Sequence, residues 1–549
     1  MILEARASGS YFCPIRSKPT IMRILKSTWL TAILLALVFT ACQKEAPAPD
    51  DSLQYLPEST AMVTAIRAGQ LMDKADFKAI QQSDGYREMV EEARSTNPVL
   101  AKVLEQPESS GVDLGKNIYL AAELREGKKP FITISFSIAD PQAFEALLES
   151  VDVDAQPASD TGYRFVSPSN NSTLAWNEKV AFIGVTEDGG DAEATIKGLL
   201  ETQPEQSIAR NKNLRKALGQ DFDVVNWLSS DFLLESEMAK NSTALLNYKE
   251  EDLRGNYIQH FLTFDKGLVK SEARLYFKSQ VANDLGMLFR DKVKTDFVKL
   301  APEGQPLFFL STAFDMDGIN QLLVEKYSKG LAEGGLQEYG ISTNTLIKAL
   351  KGDIMLTGYA PEEEQKEPEL LFAARIGDEE ALQSLIDIAA KENRIEKISD
   401  NRYRFLEWKK EIKEDSTFAE TKVHIEGQFL LHGGLLYIAS QPTLLDKVEN
   451  GQTGLTGPIA EQAENLSGNN IFTFLGDIEA INAISGKHDE GLQELKGIEA
   501  TAQRQGTELI LRMEDETANS LKTLIGLMKK HKQKEEPAEK EKESSGSEI

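Results

Sequence analysis

The sequence predicts an α+β protein made of two duplicated halves, each a mainly antiparallel sheet with helices packed on one face. Three observations support this fold class. Short segments of alternating apolar and polar residues come in pairs joined by turns, which is typical of β-hairpins. Helical segments do not alternate regularly with strands, as they would in a doubly wound parallel sheet. Several motifs also recur in the same order along the chain.

The predicted strands follow from period-two alternation between turn residues. They lie at 62–66, 118–123, 131–138, 180–185, 259–264 and 269–277, and in the second half at 307–311 and 435–439. Asp140 is a good N-cap and Pro141 suits the first helical position, so a helix is predicted to begin there. Asp378 takes the same capping place in the second half.

Four motifs recur at nearly one spacing. The paired copies are LPE at 56–58 and APE at 301–303, the segments that start at Ile118 and Ile354, YRF at 163–165 and 403–405, and the segments that start at Gly267 and Gly506. The offsets are 245, 236, 240 and 239 residues. Four matches in order favour an internal duplication over two independent α+β domains that share common hairpin patterns.

The N-terminal region predicts a lipid anchor. Arg23 and Lys26 precede an apolar run at 29–39, which has the length of a signal-peptide core and is too short to span a membrane. The run ends in FTAC at 39–42, which resembles the lipobox of bacterial lipoproteins, whose cysteine is acylated and becomes the new N-terminus. Cys42 is therefore the predicted lipidation site. The alternative is an ordinary secretory signal with a chance cysteine.

These features divide the chain into five segments. They are a signal peptide at 1–41, a lipidated linker at 42–52, a first α+β repeat at 53–295, a second at 296–528, and a charged tail at 529–549 predicted to be disordered. Residues 1–21 fit poorly before the basic pair, so we interpret them as a gene-start error, with translation beginning at Met22.

Charge and cysteine content exclude several classes of function. The chain has a formal net charge of −26, and because residues 1–41 contribute +4, residues 42–549 carry −30. Such a surface repels phosphate backbones, so no nucleic-acid partner is expected. Cys13 and Cys42 are the sole cysteines. After cleavage and acylation at Cys42, the chain has no thiol for a disulfide or a metal site.

No catalytic, cofactor or metal-binding residues are predicted. The five histidines lack zinc-ligand spacing, and no nucleophile elbow, phosphate loop or dinucleotide fingerprint is present. The glycine-rich NGQTGLTGP at 450–458 is interpreted as a surface turn. Neighbouring acids such as Asp315 and Asp317 carry no information in so acidic a chain, and Trp176 and Trp227 are expected to pack in the core.

Two short signals concern the linker. The acidic and polar residues after Cys42 are similar to export signals that send some lipoproteins of Bacteroidota to the cell surface, or they form an ordinary spacer. Ser52, between Asp51 and Leu53, matches an O-glycosylation acceptor pattern of those bacteria. Ser52 is therefore a predicted glycosylation site.

The start of the first repeat points to a family. YLP at 55–57, followed by AMV at 61–63, resembles the opening of the uncharacterised Bacteroidota lipoproteins grouped as domain of unknown function 4836. The resemblance covers about residues 52–530. It implies a location in the cell envelope and no assigned activity.

The leading hypothesis is a non-catalytic binding or structural lipoprotein of the outer membrane, facing the periplasm or exposed on the surface. Its partners are the membrane, through the N-terminal lipid, and an envelope protein or glycan. The alternative is an envelope hydrolase acting on glycans or peptides. A buried acid pair in a cleft between the halves favours the hydrolase, whereas an open groove favours binding.

Overall fold

The computed structural model describes residues 51–96, 98–125, 128–150, 162–186, 190–234, 249–326, 343–361, 368–412, 419–424, 427–485 and 493–527. The predicted signal peptide, Cys42 and the tail at 529–549 lie outside these ranges. The structural statements below concern the described residues.

Strands dominate the architecture. They are β1 Met62–Ile66, β2 Ile118–Arg125, β3 Lys128–Ser137, β4 Arg164–Ser169, β5 Ser172–Trp176, β6 Val180–Val185, β7 Val224–Ser229, β8 Tyr257–Asp265, β9 Leu268–Tyr276, β10 Pro306–Ala313, β11 Leu350–Tyr359, β12 Glu369–Ile376, β13 Ile395–Lys397, β14 Arg402–Phe405, β15 Glu407–Ile412, β16 Ala419–His424, β17 Gln428–His432, β18 Leu435–Ala439, β19 Phe472–Asp477, β20 Leu495–Gln503 and β21 Gly506–Met513. The hairpin β15–β16 forms a separate sheet, and the other 19 strands form one sheet. The predicted α+β class with antiparallel pairing is confirmed.

The large sheet consists of two arms that meet edge to edge. Outward from the junction, the first arm runs β9, β8, β7, β1, β2, β3, β6, β5, β4. The second arm runs β21, β20, β19, β10, β11, β12, β18, β17, β14, with β13 at its edge. Every pair is antiparallel. In each arm the first strand lies between the second strand and the third-last strand of that arm. In the first arm β1 lies between β2 and β7, and in the second arm β10 lies between β11 and β19.

The arms join through β9 and β21, the last strand of each arm. These two strands pair antiparallel, with Lys270 opposite Ile510 and Ser271 opposite Leu509. The predicted repeat boundary at 295/296 falls in the connection between β9 and β10.

The two faces of the sheet are defined by one row of register partners. It runs through Ile134, Leu120, Thr64, Asn226, His260, Ala273, Thr507, Ala502, Phe472, Thr312, Ile354, Ala374, Leu436 and Leu431. Register partners point to the same face of a sheet, and successive residues along a strand alternate between faces. We call the face that carries this row face A and the other face B.

Helices connect the strands. Their bounds are Ala68–Ala75, Phe77–Gln81, Asp84–Thr96, Pro98–Glu105, Pro141–Glu149, Ala192–Leu200, Lys212–Leu218, Ser230–Leu234, Glu250–Leu253, Ser279–Leu288, Phe297–Leu300, Met316–Lys326, Thr343–Ala349, Glu379–Lys391, Pro442–Glu449, Gly457–Leu466 and Ile478–Ser485. A further helical turn at 520–527 ends the described chain. The predicted caps are confirmed, because Asp140 accepts hydrogen bonds from the amides of Gln142 and Ala143, and Asp378 accepts one from Ala381.

The prediction that helices pack on one face is wrong for the outer strands. In the first arm, Phe144 of helix Pro141–Glu149 packs on face A with Ile134 and Trp176. On face B, Ile196 of helix Ala192–Leu200 packs against Phe182. The reason is that outer strands such as β3 and β6 carry apolar side chains on both faces, so both faces need cover.

Candidate functional site

The four strands nearest the junction, β8, β9, β21 and β20, carry charges on face B. The charged side chains are Lys270, Glu272, Arg274, Glu508, Arg512 and Glu499, and all are half-buried. Arg274 contacts Glu272 at 2.6 Å and Arg512 contacts Glu499 at 3.1 Å. Lys270 pairs with Glu508 across the junction, and this hydrogen bond raises the pKa of the lysine. Face B of the junction is thus a network of ion pairs.

Face A of the same strands has no half-buried ionised side chain among the described residues, and the exposed Lys496 lies at the bulge of β20, where it pairs with Glu516. Face A carries Ile258, His260, Leu262, Phe264, Val269, Ser271, Ala273, Leu275, Thr507, Leu509, Leu511, Ile498, Ala500 and Ala502. The pattern continues through Phe472 and Phe474 of β19, Phe308 and Leu310 of β10, and Ile354 and Leu356 of β11. One sheet therefore separates a charged surface from an uncharged one.

The large apolar side chains of face A near the junction are half-buried, in contrast to those of the cores. We call this set the apolar strip: Leu228, Ile258, Leu262, Phe264, Leu275, Leu509, Leu511, Ile498, Phe472, Phe474, Phe308, Leu310, Ile354 and Leu356. None of them joins a core cluster within the described chain. The strip crosses eight strands, which at about 4.8 Å per strand gives a length of about 34 Å. None of its members is among the exposed large hydrophobic residues of the described chain, so the strip is a continuous row of partly covered apolar side chains.

A chain of four polar side chains interrupts face A beside the junction. Thr64 Oγ1 donates to Asn226 Oδ1 at 2.7 Å, and the Asn226 amide nitrogen lies 3.2 Å from His260 Nδ1. His260 Nε2 lies 2.7 Å from Ser271 Oγ. We call Thr64, Asn226, His260 and Ser271 the polar row. It crosses β1, β7, β8 and β9, and each member is half-buried.

His260 is the titratable member of the polar row. Burial lowers the pKa of its imidazole, because a charged ring is poorly solvated among apolar neighbours. The described charged residues of β8 and β9 are on face B, and Lys266 lies in the turn between the two strands. Burial therefore favours the neutral ring, and with that ring neutral the polar row is a hydrogen-bonding site without formal charge.

Buried ionised groups elsewhere serve the fold. Asp223 is fully buried. Its carboxylate forms an ion pair with Lys74 at 2.8 Å and accepts a hydrogen bond from the amide of Phe264 at 2.6 Å. Burial raises the pKa of Asp223, and Lys74 opposes that shift. Arg67 lies over the ring of Phe222 and donates to the carbonyls of the loop before β7. These contacts fix the ends of strands.

The tryptophans, the acid Asp315 and the glycine-rich segment that the sequence analysis considered take part in packing, helix-terminus hydrogen bonds and a turn. Trp176 is buried in a core cluster, and Trp227 stacks on Tyr257 with ring centroids 3.9 Å apart. Asp315 accepts a hydrogen bond from the amide of Gly318. Gly451, Gly454 and Gly457 adopt positive φ in the segment at 450–458, as expected of a turn.

Ser52 and Cys42 remain predictions. Ser52 lies in the helical turn Asp51–Tyr55 and its side chain is fully buried. A glycosyltransferase would therefore have to reach Ser52 before the chain folds. Cys42 lies outside the described residues.

The members of the polar row were missed in the sequence. The signal that was present is the alternation in β8, where Ile258, His260, Leu262 and Phe264 occupy one face. A histidine in an otherwise apolar alternation marks a polar site on that face. The partners of His260 lie on other strands, so the local sequence does not reveal them.

Within the described chain, no three histidine, cysteine or carboxylate side chains are grouped as metal ligands. The described helices include none with the length and apolar character needed to cross a membrane.

This fold defines the class of the protein as an α+β protein with one large antiparallel sheet. A family profile matches residues 54–400, and the chain belongs to that family, Domain of unknown function (DUF4836). The match covers the whole first arm and extends to β13. Among curated proteins, none matches the chain.

Two crystal forms of a protein called TP0453 resemble parts of the chain. Form I is 13% identical, with 42% of this chain and 80% of that chain covered, and a TM-score of 0.25. Form III is 12% identical, with 46% and 91% covered, and the same TM-score of 0.25. At these TM-scores the likeness supports no functional conclusion.

Proposed function

We propose that this protein is a non-catalytic lipoprotein of the cell envelope, anchored through acylated Cys42, which binds the acyl chain of a lipid along the apolar strip. The observation that carries the proposal is the asymmetry of the sheet. The same four strands carry six half-buried ionised side chains on face B and none on face A, while the exposed Lys496 lies at the bulge of β20.

The chemistry of the strip favours an acyl chain over the glycan or protein partner expected from sequence. A glycan needs many polar partners and an exposed aromatic platform, whereas Trp227 is buried against Tyr257. A protein interface usually has a polar rim around its apolar centre. An acyl chain has no charge to pair and gains about 0.8 kcal/mol for each methylene that it buries.

The anchor and the family fit the same proposal. The FTAC junction would hold the body close to a membrane, where acyl chains are abundant. We place the protein with the Bacteroidota lipoproteins of the family and in the outer membrane, facing the periplasm or exposed on the surface. The envelope hydrolase acting on glycans or peptides remains the alternative.

We also infer that the two arms arose by duplication. The shared strand order supports this, as does the pairing of the two last strands, β9 and β21, with each other. In such an arrangement the ancestral unit would have formed a two-fold dimer through that strand, because an antiparallel edge pair between equal copies is isologous.

The experiment compares two neighbouring residues that point to opposite faces. The mature chain with Cys42→Ala is titrated with Nile red, a neutral dye that fluoresces in apolar surroundings. Leu509→Gln on face A should weaken dye binding about fivefold, from the loss of a half-buried leucine contact. Ile510→Gln on face B should leave it unchanged. Equal effects of the two substitutions, or no dye binding, would overturn the proposal.

A further inference from the structure

We infer that the Ser271 hydroxyl donates a hydrogen bond to the ester carbonyl of the bound lipid, so that the polar row selects acyl esters over plain hydrocarbons. This inference rests on the proposed function, because it names the chemical group that the apolar strip would hold beside its acyl chain.

The hydrogen bonds of the polar row run in one direction. Thr64 donates to the carbonyl oxygen of the Asn226 side chain, which leaves the amide nitrogen to donate to His260 Nδ1. A neutral imidazole has one N–H group, so the proton of His260 must then be on Nε2. His260 therefore donates to Ser271 Oγ across 2.7 Å.

With the hydrogen bonds in this direction, the hydroxyl of Ser271 is a donor that the polar row does not use. The Ser271 oxygen accepts from His260, and its own hydrogen has no acceptor among the described residues. Hydrogen bonds in a chain polarise one another, so the last hydroxyl is a better donor than an isolated serine. A half-buried donor of this kind gains from a ligand that brings an acceptor.

The lack of charge on face A specifies the kind of acceptor. A carboxylate or phosphate would lose its hydration without meeting a cation, because Lys270 and Arg274 point to face B. An ester carbonyl is a neutral acceptor and loses far less on leaving water. The matching ligand class is therefore an acyl ester.

The position of Ser271 suits an acyl ester. Its register partners on the two adjacent strands are Leu262 of β8 and Leu509 of β21, both members of the apolar strip. A carbonyl at Ser271 would have apolar side chains on both sides, where the acyl chain would lie.

The test uses two probes that differ in the ester. Methyl palmitate and hexadecane, each delivered from cyclodextrin, displace Nile red from the mature chain with Cys42→Ala. In the wild-type chain, methyl palmitate should displace the dye at about two- to tenfold lower concentration than hexadecane does, which is the range expected for one net hydrogen bond. Ser271→Ala should abolish this preference, so that the ratio of ester to hydrocarbon displacement within the variant falls to about one.

Thr507→Val is the matched control, because it removes a hydroxyl from face A outside the polar row. It should keep the ester preference. If neither probe displaces the dye, the proposed function fails. If both displace it equally in the wild-type chain, or if Ser271→Ala keeps the preference, the inference about the ester fails and acyl binding stands.

A second measurement tests the direction of the row without any ligand. Nitrogen NMR of the histidines, assigned with His260→Gln, reports which ring nitrogen carries the proton. The inference requires the proton on Nε2. A proton on Nδ1 would reverse the row, make Ser271 the donor to His260, and overturn the assignment.

Discussion

Asp353 and Arg290 form an ion pair that fastens the connection between the two arms to β11. The carboxylate of Asp353 is fully buried, and it also accepts hydrogen bonds from the Thr295 hydroxyl at 2.6 Å and the Thr295 amide at 3.0 Å. Each oxygen thus has a partner on the segment that precedes β10. This contact fixes where the second arm begins.

Asp353→Ala should destabilise the protein strongly. The substitution removes the acceptor of Arg290 Nη2 and of both Thr295 donors, while Arg290 Nε still donates to the carbonyl of Phe314. The loss of one member of a buried pair costs about 3–5 kcal/mol. Urea unfolding of the full mature chain measures the change. The exposed Asp317→Ala is the control and should cost under about 0.5 kcal/mol. Equal costs would show that the Asp353 contacts do not stabilise the fold.

His260 should make stability depend on pH in a definite direction. Because burial lowers its pKa in the folded state, the unfolded chain binds the proton more readily. The stability from the neutral ring is therefore full above the unfolded pKa of about 6.5 and is lost as pH falls below it. Wild type should lose more stability than His260→Gln between about pH 7 and pH 5.5, by at most about 1.4 kcal/mol per pH unit.

The comparison is made by urea unfolding at each pH. His432→Gln, at an exposed position of β17, is the control and should keep the wild-type pH dependence. If His260→Gln loses stability with falling pH just as wild type does, the pKa of His260 is the same in the folded and unfolded states, and the burial argument is wrong.

Cys42→Ala should abolish lipid attachment and leave the protein unanchored or uncleaved. The thiol of the FTAC junction is the predicted acceptor, and Cys13 is the other cysteine of the sequence. Metabolic labelling with a fatty-acid probe measures the attachment, and Cys13→Ala is the control. A labelled Cys42→Ala protein would contradict the predicted anchor.

Deletion of residues 530–549 should leave the melting temperature within about one or two degrees. From Lys529 on, the aliphatic residues are Ala538 and Ile549, so the sequence offers no apolar face to pack. The preceding turn at 520–527 does pack, with Leu521 and Ile525 against the cluster that contains Met72 and Phe77.

Leu521→Ala is therefore the contrasting variant, and it should cost about 1–2 kcal/mol because the leucine is half-buried in that cluster. Differential scanning calorimetry measures both changes. A drop of many degrees on deletion of the tail would show that its charged residues form a real interface.

Local structure was predictable from sequence because its causes are local. The strand at 62–66 and the strand at 180–185 have the predicted bounds, and the hairpin of β2 and β3 lies within three residues of the prediction. Alternation and turn residues within a few positions decide such elements. The caps Asp140 and Asp378 were predictable for the same reason, since a cap bonds to amides two or three residues away.

Contacts between distant segments were decided by tertiary structure. The pairing of β9 with β21 joins residues more than 230 positions apart and merges two predicted sheets into one. The sequence of either strand alone does not specify its pairing partner, because edge strands offer the same backbone donors and acceptors to any neighbouring strand.

The candidate site shows the same division. The sequence by itself determined the predicted anchor, the acidic balance and the alternation that places His260 among apolar residues. The polar row needed the folded sheet, since Thr64 and Asn226 are 162 positions apart and Asn226 and His260 are 34 apart. Hydrogen-bond partners across strands depend on register, and register is fixed when whole arms pack.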